Sequence, residues 1–460
     1  MVDDRAVADL CHRAAERSIH PTSMSSESSS RALALNALRQ WRTGENFADG
    51  ILARLLRSSD LTPPDRAFAT ELFYGTLRNL ILLDFWIGRL RSEHLDHDAR
   101  DLLRLGIYQL LFLDTPEHAA VYETVKLAGP KRRSLVNAVL RNAVRRKAEL
   151  ARAADEQDLS VRTSHPQFLI DRWTKNFGVE STAALCRWNN KPAVVYARIN
   201  QLKISVEDFL KERSSAERLA QPSGFVRLAE IPYDALDRGH CYIQDPSTAS
   251  ACLLLDAQPS EKVLDACAAP GGKTGYLAEM MKNRGELIAC DRDSARIRTL
   301  RDNLEHLGVT VARFIEHDWT SRPPPSEISA VSPFDRILVD APCSNTGVMR
   351  RRVDVRWRLT PKNFSRMREE QLRILRATVP LLKVGGALVY STCSLEPEEN
   401  DEVVNAITQE FSFLKLVEEV SVLPFRDGFD GAFAAKLIRT AERADPVASR
   451  SAGGIVTPYA

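Results

Sequence analysis

Long apolar runs are missing from this sequence. Nothing in its 460 residues reaches the roughly 18 uninterrupted apolar positions of a membrane helix, and the longest apolar run, Leu80 to Leu90, is broken by Asp84. A helical membrane protein is therefore excluded. The N-terminus, MVDDRAVADLCHRAAERS, carries acids where an export signal carries a positive segment, which predicts a cytoplasmic protein. Cysteine is sparse, with eight residues in all, none spaced as CxxC. This excludes a disulfide scaffold and a zinc site of ordinary spacing, so the thiols are expected to be free and no metal is expected. An excess of either charge is also absent: 63 Lys+Arg stand against 61 Asp+Glu, for a formal net charge of +2. Any nucleic-acid binding must then come from local basic patches.

With 44% hydrophobic and 27% charged residues the composition is that of a globular chain, and its length predicts two to four domains. Residues 1–28 end in the polar run PTSMSSESSS and read as a disordered tail. From 29 to 150 nearly every segment has helical spacing, as in Leu33, Leu35, Leu38 and Trp41, and Pro63 and Pro64 sit where a helix begins. This part is expected to be all-helical. Its last segment is its most basic, and Arg141, Arg145 and Arg146 form a candidate RNA-binding face. Residues 151–166 read as a linker, 167–240 as a small α+β subdomain, and 441–460 as a flexible C-terminal tail. Between 241 and 440 strands and helices alternate, which predicts an α/β fold with a doubly wound, mostly parallel sheet.

The segment KVLDACAAPGGKTGYLAEM joins a strand to a helix through a small-residue loop. In such sheets ligands lie at the carboxyl ends of the strands, where small residues admit the ligand to the backbone. The loop is neither GxGxxG nor GxxxxGK[ST], so an ATP cradle is disfavoured. Asp265, Asp291 and Asp318 close three successive strands. Alone, any one of them is an ordinary turn former; three on one rim point to a ligand, with Asp291 placed to grip ribose hydroxyls. The next two strands run into Ala341-Pro342-Cys343 and Ser391-Thr392-Cys393. If those strands are neighbours, two thiols and Asp340 meet in one pocket.

DACAAPGGKT (265–274), DAPCSNTGVMRR (340–351) and STCSLEPEEN (391–400) closely resemble the motifs of S-adenosylmethionine-dependent RNA 5-methylcytosine methyltransferases. Upstream, ELFYGTLR (71–78) and VNAVLRN (136–142) resemble the NusB-like RNA-binding domain of the RsmB (Sun or Fmu) branch, which modifies 16S ribosomal RNA. The resemblance spans about residues 29 to 440. It implies a Rossmann-like class I methyltransferase domain behind an all-α NusB-like domain, and S-adenosyl-L-methionine as cofactor. It also implies that Cys267, Ala268, Ala269, Pro270, Gly271, Gly272, Lys273, Asp291, Asp318 and Asp340 contact that cofactor. Cys393 is then the nucleophile, Cys343 assists product release, and Asp340 also orients the target base. Asn345 stands where the family usually has Gly, and 427–437 is longer than the usual DGFF-type sequence.

The chemistry of these residues agrees with that reading. C5 of cytosine is too weak a nucleophile to take a methyl group directly, so a thiolate must first add at C6, and a base must later remove the C5 proton. By residue chemistry alone either thiol can be the attacking one; the resemblance points to Cys393. The target base has to leave its stack, and Arg350, Arg351, Arg352, Arg356 and Arg358 are placed to hold the flanking backbone. The expected substrate is 16S ribosomal RNA, free or in an incompletely assembled small subunit, acted on by a monomer. Another RNA such as transfer RNA, or a non-catalytic antitermination-like role, are the alternatives.

Overall fold

A computed structural model describes residues 29–440; the expected tails, 1–28 and 441–460, lie outside the described residues. The described residues open with seven successive helices between Ser30 and Arg145. Their starts follow from capping side chains: Ser29, Thr62 and Asp96 each accept a first-turn amide, and Pro63 and Pro64 occupy the first turn after Thr62. Leu72, Phe73, Leu83, Leu103 and Leu140 are fully buried in one core. Gly75, in the ELFYGTLR segment, is needed for close approach, since a Cβ there would overlap the Tyr108 ring.

Residues 151–166 are not an extended linker. They lie in two helices, Lys147–Asp155 and Leu159–Thr163, and a turn that packs back on the helical domain. Trp86 Nε1 donates to the Leu150 carbonyl (2.8 Å) and the Leu82 amide to Ser164 Oγ (3.0 Å), while His165 is fully buried. Arg152, Asp155, Glu156 and Asp158 stay exposed, but Ser164 and His165 are buried against partners from other segments, a pairing that composition does not reveal.

Two sheets follow. The smaller has the antiparallel order β2-β3-β1-β4, with β1 Val195–Ile199, β2 Glu217–Arg218, β3 Phe225–Leu228 and β4 Cys241–Ile243. Its last strand extends past the expected boundary at 240, because Cys241–Ile243 pairs with β1. The larger sheet has the order β10-β11-β9-β8-β5-β6-β7. Its strands are β5 Lys262–Asp265, β6 Glu286–Asp291, β7 Ala312–Glu316, β8 Phe334–Asp340, β9 Leu382–Thr392, β10 Leu414–Val422 and β11 Ala432–Arg439. The five strands β5 to β9 are parallel, and β11 runs antiparallel to β9 and β10. From β5 the chain winds outward through β6 and β7, then returns to β8 on the other side of β5. The crevice at the carboxyl ends of β5 and β8 is therefore the switch point where ligands bind in this class of sheet.

The helical and sheet domains are locked together by residues 353–358. Val353 is buried in the helical core, Asp354 Oδ2 accepts the Ala48 amide (2.9 Å), and Trp357 Nε1 donates to the Leu77 carbonyl (2.9 Å). Arg358 donates to the Gly44 and Asn46 carbonyls, and the buried Arg356 to Ser164 O, Asn189 O and Asn190 Oδ1. The backbone-holding role expected of Arg356 and Arg358 is thus not available to them. Their guanidinium groups are committed to protein acceptors.

Candidate active site

Asp265 ends β5 and the 267–272 loop turns from it into the helix Gly272–Met280. Thr274 Oγ1 donates to Asp265 Oδ2 (2.8 Å), and burial pushes the Asp265 carboxyl up to about 7. Asp291, at the tip of β6, lies 3.4 Å from Arg296 and is also raised by burial. Asp318 accepts from the Thr320 amide and hydroxyl and from Ser321 Oγ; these bonds outweigh its burial and hold it below the usual carboxylate range. It forms its own turn and lines the cavity as well. These three aspartates, the 267–270 loop and Lys273 line one open cavity of about 1060 Å³.

Strands β8 and β9 are neighbours in parallel register, with Asp340 opposite Ser391. Ser391 Oγ donates to Asp340 Oδ1 and Lys273 Nζ to Asp340 Oδ2, each at 2.7 Å. Burial works against the Lys273 charge, but Asp340 beside it outweighs this and raises its ammonium above the ordinary range. Beyond the strand tips Cys343 Sγ and Cys393 Sγ are 3.2 Å apart, and Cys393 Sγ donates to Asn345 Oδ1 (3.1 Å). Contact with Cys393, together with burial, pushes the Cys343 thiol well up. Asn345 adopts φ +60, the left-handed region that Asn tolerates better than other side chains. It serves there both as the turn residue and as the partner of Cys393.

Residues that sequence reasoning did not single out complete the site. Glu399 is fully buried and accepts from the Ser344 amide (2.8 Å), Ser394 Oγ (2.8 Å) and Gln371 Nε2 (3.0 Å), tying both cysteine loops together. Gly347 packs between them: a Cβ there would lie 2.7 Å from both the Cys393 carbonyl oxygen and Gly431 Cα. The 427–437 segment therefore brings Gly431 onto the Cys343 loop before entering β11. Asp245 accepts the Ser247 amide and also pairs with Arg351 (2.8 Å). Asp430 pairs with Arg351 too and lies 3.5 Å from Arg350; burial and Asp245 push its carboxyl up to about 6. Arg350 is only 2% exposed, its guanidinium 4.0 Å above the Trp188 ring. Instead of reaching out to a nucleic-acid backbone, Arg350 and Arg351 brace the cavity wall, because buried carboxylates compete for them.

On the basic helix Pro130–Arg145, Arg141 and Arg145 are exposed. Arg146 follows it and is held by Glu149 (2.6 Å) and the Arg89 carbonyl (3.1 Å). The candidate face is thus narrower than the charge run suggested, its third arginine having an acid three residues on.

Residues 252–438 match the family model of the 16S rRNA methyltransferase RsmB/F, 28–145 that of the NusB family, and 165–229 that of the RsmF/B-like ferredoxin-like domain. The probable ribosomal RNA small subunit methyltransferase B of Bacillus subtilis is 35% identical over 403 residues, covering 84% of this chain and 89% of that protein. The chain belongs to the RsmB/F methyltransferase family. The ribosomal RNA small subunit methyltransferase B of Serratia proteamaculans is 34% identical over 82% of this chain and 92% of its own length. Among solved structures, a methyltransferase homolog protein from Pyrococcus horikoshii superposes with a TM-score of 0.53 at 30% identity, over 62% of this chain and 98% of that one. No helix among the described residues is long and apolar enough to cross a membrane.

Proposed function

We propose that this enzyme methylates C5 of one cytosine in 16S ribosomal RNA, at cytosine 967 by the family's convention, through a covalent adduct between Cys393 and C6. The observation that carries the reading is the pair of thiols 3.2 Å apart at the tips of adjacent strands, opening on a cavity with an acidic rim. That rim fits S-adenosylmethionine: Asp265, Asp291, Asp318 and Asp340 suit a cationic sulfonium and ribose hydroxyls and disfavour a polyphosphate. Asp291, Asp318 and the Cys267 to Lys273 loop are the residues to hold it. When bound, it supplies an electrophilic methyl group.

The protein's own residues do the rest. With the Cys393 hydrogen directed at Asn345 Oδ1, the hydrogen in the sulfur–sulfur contact is that of Cys343. The raised Cys343 remains a thiol beside the sulfur that attacks. Addition of the Cys393 thiolate to C6 makes C5 enamine-like and ready to be methylated. Asp340 offers an acceptor to the exocyclic amine, and Lys273 a positive charge for electron density pushed into the ring. In the elimination the C5 proton passes to Cys343 Sγ as the proton Cys343 shares with Cys393 moves onto the departing Cys393 sulfur; the C6–S bond breaks, the 5,6 double bond re-forms and both thiols are regenerated.

Bisulfite sequencing of 16S ribosomal RNA from cells with and without the gene is expected to show one protected cytosine lost in the deletion strain. An unchanged pattern refutes the reading, and a cytosine lost from transfer RNA instead would reassign the substrate. On the helical domain, Arg141 and Arg145 are proposed phosphate contacts. Replacing both by Ala is expected to reduce the slope of log affinity against log salt by about 1.4, at roughly 0.7 per contact on a single strand. An unaltered slope in a filter-binding titration would make them an ordinary solvated face.

A further inference from the structure

The cavity does not stop at the cofactor rim and the thiols. It continues to the seam between the domains, where Phe47, Tyr74 and Arg78 of the helical domain face Arg352, Arg358 and Arg366 of the sheet domain. The two ends have opposite charge. Acids crowd the strand tips, whereas arginines dominate the seam, and the carboxylates there are already engaged. Asp354 accepts from the Ala48 amide and Arg358, and Glu370 is paired with Arg292 (2.6 Å). Arg78 Nε is buried with no hydrogen-bond partner, and Arg366 is exposed. Phe47 is half-buried, one face covered by the Arg358 guanidinium at 4.4 Å. Because Val353, Asp354, Trp357 and Arg358 fasten the helical domain in place, this wall stands at a fixed position relative to the thiols.

We infer that this seam is a subsite for the unpaired RNA strand flanking the target base, with phosphates on Arg78 and Arg366 and a neighbouring base against Phe47. The inference rests on the proposed RNA substrate and extends it: the helical domain supplies part of the substrate cleft itself, in addition to any recruiting face. A base turned into the thiol pocket must come from a strand that is locally single. Such a strand is held by positive charge along its backbone and by aromatic faces against its bases, the combination found at the seam.

The test uses the full-length enzyme and a single-stranded RNA oligonucleotide centred on the methylated cytosine. Fluorescence anisotropy gives affinity and its salt slope; a methyl-transfer assay gives KM and kcat. Arg366→Glu alters an exposed side chain and is expected to keep the wild-type melting temperature. It should weaken binding about tenfold, lower the salt slope by roughly 0.7 and raise KM while kcat changes little. Arg78→Ala and Phe47→Ala are expected to act in the same direction, and Arg227→Glu, on β3 of the small sheet, to do nothing. A 4-thiouridine placed next to the target cytosine is expected to crosslink to peptides from residues 44–78. If the wild type methylates the RNA but Arg366→Glu and Arg78→Ala bind it normally, the seam proposal alone is overturned. Weakened binding by these variants, with no cytosine methylated by the wild type, would keep the seam and refute the assigned reaction. A wild type that binds no RNA refutes both.

Discussion

Replacing Cys393 by Ala is expected to abolish methyl transfer and to leave no RNA attached to the denatured protein. Loss of a covalent nucleophile is felt on a scale of roughly 10⁴-fold or more, so residual activity falls below ordinary detection. Cys343→Ala is expected to behave differently. Its neighbour 3.2 Å away can still attack, so one methyl group is transferred, and the complex then stalls because the assisted elimination comes after the bond has formed. Denaturing gels with labelled RNA show such a complex as a slowly migrating band. A band from the Cys393 variant, with none from the Cys343 variant, would reverse the two roles. Both side chains are short and sit at the ends of strands that β5 and β11 flank, so neither change is expected to unfold the sheet.

The second large effect is at Glu399. Removing its carboxylate in Glu399→Ala leaves the Ser344 amide, Ser394 Oγ and Gln371 Nε2 in a buried space without their acceptor. At about 1–3 kcal/mol for each buried donor left unpaired, the cost to folding stability is about 3 kcal/mol or more. The two cysteine loops, which Glu399 bridges, are expected to lose their register as well, so kcat falls by roughly 100-fold, the scale of small misplacements at reacting atoms. Glu399→Gln keeps the shape and one acceptor oxygen and is expected to recover most of the stability. Thermal melting and single-turnover methyl transfer measure the two effects separately. A Glu399→Ala protein with wild-type melting and wild-type kcat would show that the loops hold each other without it.

How much of this was legible in the sequence differs from element to element. The helical region could be read because its apolar residues recur with helical spacing and its helices begin at capping residues such as Thr62 and Asp96. The α/β region could be read because apolar strands there alternate with amphipathic helices. The small-residue loop after β5 and the Pro-Cys and Thr-Cys segments could be picked out because each lies within a few residues of a strand end. What could not be read is anything that depends on which elements become neighbours. Residues 151–166 looked like a linker because the partners of Ser164, Leu82 and Arg356, are far away along the chain. The arginines after Cys343 looked like a nucleic-acid grip because the carboxylates and carbonyls that claim them lie in other segments.

The sequence by itself determined the local order: which segments are helices or strands, where the small-residue loop and acidic strand ends fall, and that two cysteines follow two strands. These are properties of neighbours along the chain, set by periodicity, capping and turn chemistry. Only the tertiary structure decided that β8 and β9 lie side by side, so that Cys343 and Cys393 come within 3.2 Å and Asp340 meets Lys273. It also decided that Glu399 bridges the two cysteine loops and that the helical domain closes one side of the cavity. The physical reason is that strand pairing, burial of charge and domain docking are set by contacts between residues tens to hundreds of positions apart. No local spacing encodes which of the available partners will be met.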